Sequence, residues 1–339
     1  MQEARMQQEM TDPGSTIPGL LWAYRFRNDG TAKNLGPNVS RNECSRTDGW
    51  IWLHFSLSDE RAKGFIADFD SFPESARATL LTADEHVNVC ISDGVVHGIF
   101  VDLQRDLAGI TDGTGKLHFA FNNHVLVSTR RAALHSVEAA RQGIEAGNSI
   151  PAAVGLIEEI VSQYCITIER MISAIADEID EIEDRVLEKR RNDDRQKLIP
   201  VRRLVMKLHR QLLASRGMFH RLESAVGSQL PIGLAKTATQ IAQHLDSLDH
   251  ACIVLQDRAR LVHDEIVSKI NAETNRSLHV LSTLSVLLMP PTLVAGAFGM
   301  NTKDVPFAQT DGGFWFALAL CGLASAVAYG LLKKLDILN

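Results

Sequence analysis

Two uncharged runs near the C-terminal end limit what this chain can fold into. Leu278 to Phe298 contains no Asp, Glu, Lys or Arg, and Phe314 to Leu332 is a second such run that stops at Lys333-Lys334. At about 1.5 Å of rise per residue, either run spans a hydrocarbon core of about 30 Å as a helix. The chain is therefore expected to place two spans in a lipid bilayer and to keep everything upstream in water.

A length of 339 residues allows about two domains. A net charge of −6 without a long basic run gives no reason to expect a nucleic-acid partner. Cys44, Cys90, Cys165, Cys252 and Cys321 are scattered, with no CxxC pair and no His at ligand spacing, which excludes a recognisable zinc cluster and suits reduced thiols. Met1 to Thr16 is polar and lacks the apolar core of a signal peptide, so the soluble part is expected to stay inside. Arg258, Arg260, Lys269 and Arg276 precede the first span and Lys333 and Lys334 follow the second, whereas the connecting loop has only Lys303. This bias predicts a multi-pass protein of the cell (inner) membrane with both termini cytoplasmic and the loop Thr302 to Gly313 outside.

The fold class expected is α+β. Residues 1–18 read as disordered and 19–147 as a cytoplasmic α/β domain with a mixed sheet, its strands at Leu20 to Phe26, Trp50 to Phe55, His86 to Ile91, Gly94 to Val101 and His124 to Thr129, with helix within Ala62 to Leu81. Asp112-Gly-Thr-Gly-Lys116 predicts a hairpin turn, because Leu117 stands where a phosphate loop needs Ser or Thr. Residues 148–230 read as an antiparallel helical hairpin that starts at Asn148-Ser149 before Pro151. Its first arm is acidic (Asp177, Glu178, Asp180, Glu181, Glu183, Asp184) and its second basic (Arg195, Lys197, Arg202, Arg203, Lys207, Arg210, Arg216, Arg221), so the arms are expected to pair as a solvated, ion-paired hairpin. Pro200 is expected to kink or delay the second arm.

The stalk segment 231–298 opens on Pro231-Ile-Gly233, after which no helix breaker appears before Pro290. Leu234, Ala238, Ile241, Leu245, Leu248, Cys252, Leu255, Ala259, Val262 and Ile266 alternate in steps of four and three, a heptad seam on a stalk helix that continues into the first span. A second row runs in the same steps on another face. It comprises Gln243, Ser247, His250, Val254, Asp257, Leu261, Asp264, Ser268, Asn271, Asn275 and Leu278, then Ser282, Ser285, Met289, Thr292, Gly296 and Gly299. Polar groups in hydrocarbon need protein or water, so this face is expected to line a water-filled bore, against the alternative that the hydroxyls bond to their own helix and Gly296 only permits close packing. Two spans cannot enclose a bore, so the chain is expected to self-associate. Pro290-Pro291 frees backbone groups near mid-span. Gly299 is expected to permit the turn that ends the helix, and Asn301 to present an amide oxygen at the outer mouth, where an oxygen ring suits a hydrated divalent cation. The loop 299–313, the second span 314–332 and a cytoplasmic tail 333–339 complete the chain.

Gly299-Met300-Asn301, placed after Asn275, Met289-Pro290, Thr292 and Phe298 and a short loop before a second span ending in lysines, resembles the CorA family of divalent-cation transporters. Glu273 to Ser282, Leu288 to Asn301 and Asp304-Val-Pro306 look most like its ZntB-like zinc-transport branch. Close matching covers roughly residues 260–335. The resemblance implies a homopentamer with the first span lining the pore. It implies Gly299, Met300 and Asn301 as the outer selectivity motif and Asn275, Leu278, Leu281, Ser285, Met289 and Thr292 as pore-lining, to which the row adds Ser282 and Gly296. Asp264 would lie in the stalk bore, where the row also puts Asp257 and His250. Leu278, Leu281 and Met289 would be apolar constrictions that gate by dewetting. The loop has Asp304 and Asp311 beside Lys303, so charge concentration at the mouth is less evident than in many magnesium-transporting members, and Gln240 stands where some members place a carboxylate for a regulatory cation.

The function expected is transport of a divalent cation as cargo, zinc first and magnesium, cobalt or nickel second, with no cofactor. The zinc branch is similar to proton-coupled systems, but neither span contains Asp, Glu or paired His; His279 is the single imidazole near the pore and a candidate pH or metal contact. Zinc prefers nitrogen and sulfur ligands when dehydrated, so a partly hydrated ion is the consistent cargo. A membrane-tethered sensor is the rival from another class, and it leaves the polar row unexplained. An enzyme is not expected: there is no paired nucleophile and base, and His118, His124, His244 and His250 read as surface or core histidines.

Overall fold

The computed structural model describes residues 17–36, 39, 49–84, 86–106, 109–187, 194–224, 230–300 and 312–334. The polar N-terminus to residue 16, Cys44, Asn301 with its loop to Asp311, and the tail from residue 335 lie outside the described residues. The chain divides into two compact units, Met1–Arg260 and Leu261–Asn339.

The first unit is built on a seven-stranded sheet, β1 (Leu20–Phe26), β2 (Ala32–Asn34), β3 (Trp50–Ser56), β4 (Asn88–Ser92), β5 (Val95–Asp106), β6 (Gly109–Phe121) and β7 (Val125–Arg130), in the order β2-β1-β3-β7-β6-β5-β4. Only β3 and β7 pair in parallel, so the sheet is mixed, as the strand pattern predicts. Every residue from Trp50 to Phe55 is buried because both faces of the sheet are covered. Ile51, Leu53 and Phe55 join a core with Phe65, Ile66, Ala76 and Leu80 of α1 (Glu60–Ala67) and α2 (Glu74–Leu81). On the other face, Phe100 of β5 meets Tyr164 edge-on at 5.2 Å and Phe219 at 6.2 Å. These belong to α4 (Ala153–Leu187) and α5 (Asp194–Glu223), which follow α3 (His135–Glu145).

The turn between β4 and β5 uses Asp93 at φ 48° and Gly94 at φ 75°, the paired left-handed conformation that a two-residue hairpin requires. The hairpin turn expected at 112–116 is instead strand: Thr114, Gly115 and Lys116 pair with Leu103, Asp102 and Val101. The glycine there answers a close approach, since a Cβ on Gly115 would come within 2.4 Å of Leu134. Helix α3, which no local signal announced, is held at its start by a strand residue. Buried Asp102 accepts hydrogen bonds from the Ser136 hydroxyl (2.6 Å) and the Ser136 (3.0 Å) and Leu103 (2.7 Å) amides. Burial pushes its carboxyl up to about 6 despite these donors.

Helix α6 runs from Leu234 to Phe298. In the first unit its seam residues Leu234, Ala238, Ile241, Leu245, Leu248, Cys252, Leu255 and Ala259 are all buried. The ion pairs along it modify the expected picture of two mutually attracting arms. Acidic α4 reaches α6 through Asp180 and Glu183, both bound to Arg258. Basic α5 reaches it through Arg216, which binds Asp246 (2.6 Å) and Asp249 (3.0 Å). Asp249 is buried and also sits 2.6 Å from Nδ1 of His209. Asp180 and Glu183 of one arm and Arg216 of the other are thus paired on a third helix. Pro200 does not delay α5, which begins at Asp194 and passes through it.

In the second unit, α6 packs against α7 (Gly313–Lys334), and the two are long and apolar enough to cross a membrane, with almost all of that apolar surface exposed.

Candidate functional site

The polar row of α6 is exposed throughout the described residues. In the first unit Gln243, Ser247, His250, Val254 and Asp257 are exposed between buried seam positions. In the second unit so are Asp264, Asn275, Leu278, Leu281, Ser282, Ser285, Met289, Thr292 and Gly296. From Leu278 to Phe298 the half-buried residues of α6 are Thr283, Leu287, Pro290, Pro291, Val294 and Phe298. These form the face toward α7, where Phe298 lies 6.5 Å from Phe316 and the Cys321 thiol reaches the Pro291 carbonyl at 3.6 Å. At about 100° per residue, the mean direction of the row from Ser282 to Gly299 is roughly opposite that face. The row is therefore what this unit leaves uncovered when its two helices pack.

A shallow groove on the row brings together Ser285, Met289, Thr292, Gly296 and Met300. The Ser285 hydroxyl donates to the Leu281 carbonyl (2.8 Å) and that of Thr292 to the Leu288 carbonyl (2.7 Å), so the self-bonding alternative holds for the protons of both. It also fixes what they offer outward. A hydroxyl whose proton is committed to its own helix presents lone pairs, which suit a cation or the donor side of water. A Cβ added to Gly296 would meet nothing within 4 Å, so close packing within the chain does not account for this glycine. Gly299 takes the turn that ends the helix, as expected; its φ is not positive, and the glycine answers a close approach, since a Cβ would lie 3.2 Å from the Ala295 carbonyl. Leu278, Leu281 and Met289 are 57%, 60% and 70% exposed, a degree of apolar exposure that only lipid or a partner can make stable.

The remaining candidates sit in different surroundings. Asp264 is exposed, and Asp257 shares a groove with Arg202, Met206, Gln256 and Arg260, whose two guanidinium groups offset its attraction for cations. Arg260 was the missed neighbour, legible in its three-residue spacing from Asp257. His279 lies off the row, in a groove with Arg276, Val280 and Thr283. Among the described residues no group of three or more His, Cys, Asp or Glu is placed to hold a metal ion, so an ion on the row would meet hydroxyl oxygens, amides and water.

These features have counterparts in known proteins. The zinc transport protein ZntB of Photorhabdus laumondii is 24% identical over 289 residues, covering 84% of this chain and 87% of that protein. The divalent cation transporter CmaX of Pseudomonas aeruginosa is 22% identical over 325 residues, covering 94% and 96%. The structure of full-length CmaX superposes with a TM-score of 0.79 at 20% identity, over 96% of this chain and 100% of that one. The CorA magnesium transporter of Methanocaldococcus jannaschii does so with 0.74 at 16% identity, over 92% and 97%. A family model described as CorA-like Mg2+ transporter protein matches residues 47–334, and with a soluble mixed sheet, a long helix and two apolar helices in the same order, the chain belongs to that family of divalent-cation transporters.

Proposed function

We propose that the chain is one subunit of a homopentamer that carries a hydrated divalent cation, zinc first, along the polar row of α6. The observation that carries this reading is the exposure of that row, roughly opposite the face that packs on α7. A surface of serines, a threonine and glycines within an apolar helix is costly in hydrocarbon and inexpensive around water, and several copies are needed to surround it. Asn275, Leu278, Leu281, Ser282, Ser285, Met289, Thr292 and Gly296 would then line the pore, with Gly299, Met300 and Asn301 at its outer mouth and Asp264 below. Outward-facing hydroxyl lone pairs and an amide ring can hold an ion through its waters without stripping them. Leu278, Leu281 and Met289 would supply rings narrow and apolar enough to dewet. Both termini would be cytoplasmic, in the inner membrane.

The similarity to ZntB proteins and the Glu273 to Ser282 wording favour zinc. Magnesium is the second reading, favoured by the family description and by the small hydroxyl and amide oxygens of the row. Ion flux into proteoliposomes, comparing zinc with magnesium with and without an imposed proton gradient, separates them. Zinc flux that rises with the gradient supports the first reading, and gradient-independent magnesium flux the second. No flux of either ion would remove the pore and restore the sensor.

A further inference from the structure

On the second unit, a groove beside α6 changes character along its length. Its lower rim holds the exposed Asn275, Arg276 and His279, and its wall is Val280 and Leu284, 63% and 51% exposed, over the half-buried Thr283 and Leu287. From Val280 to Leu287 the apolar wall extends about 10 Å up the helix. The change from charged to apolar falls where the uncharged run of α6 begins, at the level expected for the boundary between headgroups and hydrocarbon.

The second helix adds charge at the same height. Cys321 contacts Pro291, and α7 runs antiparallel to α6 from there. About twelve residues further along α7 and twelve back along α6, Lys333 comes level with His279, and both Lys333 and Lys334 are exposed. Among the described residues from Asn275 onward there is no Asp or Glu; Glu273, the nearest carboxylate down α6, does not line the groove.

We propose that this groove seats an anionic phospholipid, with its phosphate against Arg276 and His279 and one acyl chain along Val280, Leu284 and Leu287. The rim offers a guanidinium fork and an imidazole N–H, both donors, with the Lys333 ammonium at the same height on α7, which is the complement of a phosphate diester. The wall is an exposed strip of branched aliphatic side chains, which is the complement of an acyl chain. A neighbouring apolar span would cover the wall but bring no anion to the cationic rim, since the described residues from Asn275 onward carry neither Asp nor Glu. The groove borders the row at Asn275, and its apolar wall of Val280, Leu284 and Leu287 faces away from Ser285, Met289 and Thr292. The inference rests on reading α6 and α7 as membrane spans and on no particular transported ion.

The full-length chain in nanodiscs of equal phosphatidylglycerol and phosphatidylcholine, analysed by lipid extraction and by native mass spectrometry of the released protein, tests it. Phosphatidylglycerol should be retained in preference. Arg276→Gln should lower that retention about fivefold, the scale of one cation at a membrane surface, while Arg276→Lys keeps most of it. Leu284→Trp fills the groove without changing charge and should lower it as well, whereas Leu318→Trp, on the exposed side of α7, should not. Equal retention of both lipids overturns the proposal, as does an unaffected Arg276→Gln. So does an unaffected Leu284→Trp, which would mean diffuse attraction rather than a seat. Cross-linking of Leu284→Cys between copies would show that a second chain occupies the groove, and also overturns it. Failure of the chain to enter nanodiscs would remove the transport reading too, while entry without lipid preference would remove this inference alone.

Discussion

From Leu234 to Ala259, α6 buries every third or fourth residue while Ser247, His250 and Val254 stay exposed. From Leu278 to Phe298, the most apolar residues of the same helix, Leu281, Leu288 and Leu293, are exposed, and the face toward α7 is half covered. In water, apolar area is what drives a face inward, so a heptad of Leu, Ile and Ala forecasts burial directly. In lipid, the tails are as apolar as Leu, and that driving force vanishes. There it is the small and polar residues that need company, and the row of Ser, Thr and Gly carries the information instead. One helix thus has to be read by opposite rules in its two regions.

The sharpest way to break this contrast is to separate function from stability. Asn301→Ala, at the outer end of the row, should reduce ion flux to the leak of empty liposomes while the purified protein keeps its oligomeric size. If flux survives, the row does not end in a selectivity site. Leu245→Ala on the seam should do the reverse, costing about 2–5 kcal/mol of stability through lost burial and the cavity it leaves. Ser247→Ala, two residues away and exposed, should change stability by less than about 0.5 kcal/mol. Comparable denaturation midpoints for these two variants would show that the seam is not the packed face.

The first unit buries ionisable groups, and its stability should titrate accordingly. The folded value of Asp102, about 6, lies above its ordinary 3.8, so the folded chain holds the proton more tightly than the unfolded one. Stability from this group is full at low pH and is lost as pH rises from about 4 to about 6, by as much as about 3 kcal/mol. Asp102→Asn should remove that slope, and parallel pH–stability curves for the two proteins would show that the burial of Asp102 has no energetic consequence. The smallest effect concerns the membrane region. In a chain cleared of its native cysteines, Ser285→Cys should react with a charged, water-soluble thiol reagent about tenfold faster than Val294→Cys, because only the thiolate in contact with water is attacked at a useful rate. Equal rates would mean that the row is no wetter than the face against α7.

Much of this was legible because the signals are local and periodic. All eight seam residues of the first unit are buried, and β1, β3 and β7 fall within a residue of the runs that announced them. The misses share a cause. Helix α3 is short, and its start is stabilised by Asp102, more than thirty residues earlier in the chain. Gly115 looked like a turn because the residue that makes a glycine necessary, Leu134, is remote in sequence. The acidic and basic arms were matched with each other because they are consecutive, whereas Arg258, Asp246 and Asp249 of α6 were nearer partners in space. His279 is one position off the row, and a single residue of offset turns a side chain by about 100°.

The amino-acid sequence by itself determined the two apolar helices, the seam, the polar row and the family. Each depends on periodicity or on adjacent residues, and a helix converts such spacing into a face without outside help. Tertiary structure alone decided which face of α6 meets α7, which helix neutralises each charged arm and where α3 begins. Those outcomes depend on groups brought together from distant parts of the chain, whose pairing is fixed by burial and geometry rather than by spacing.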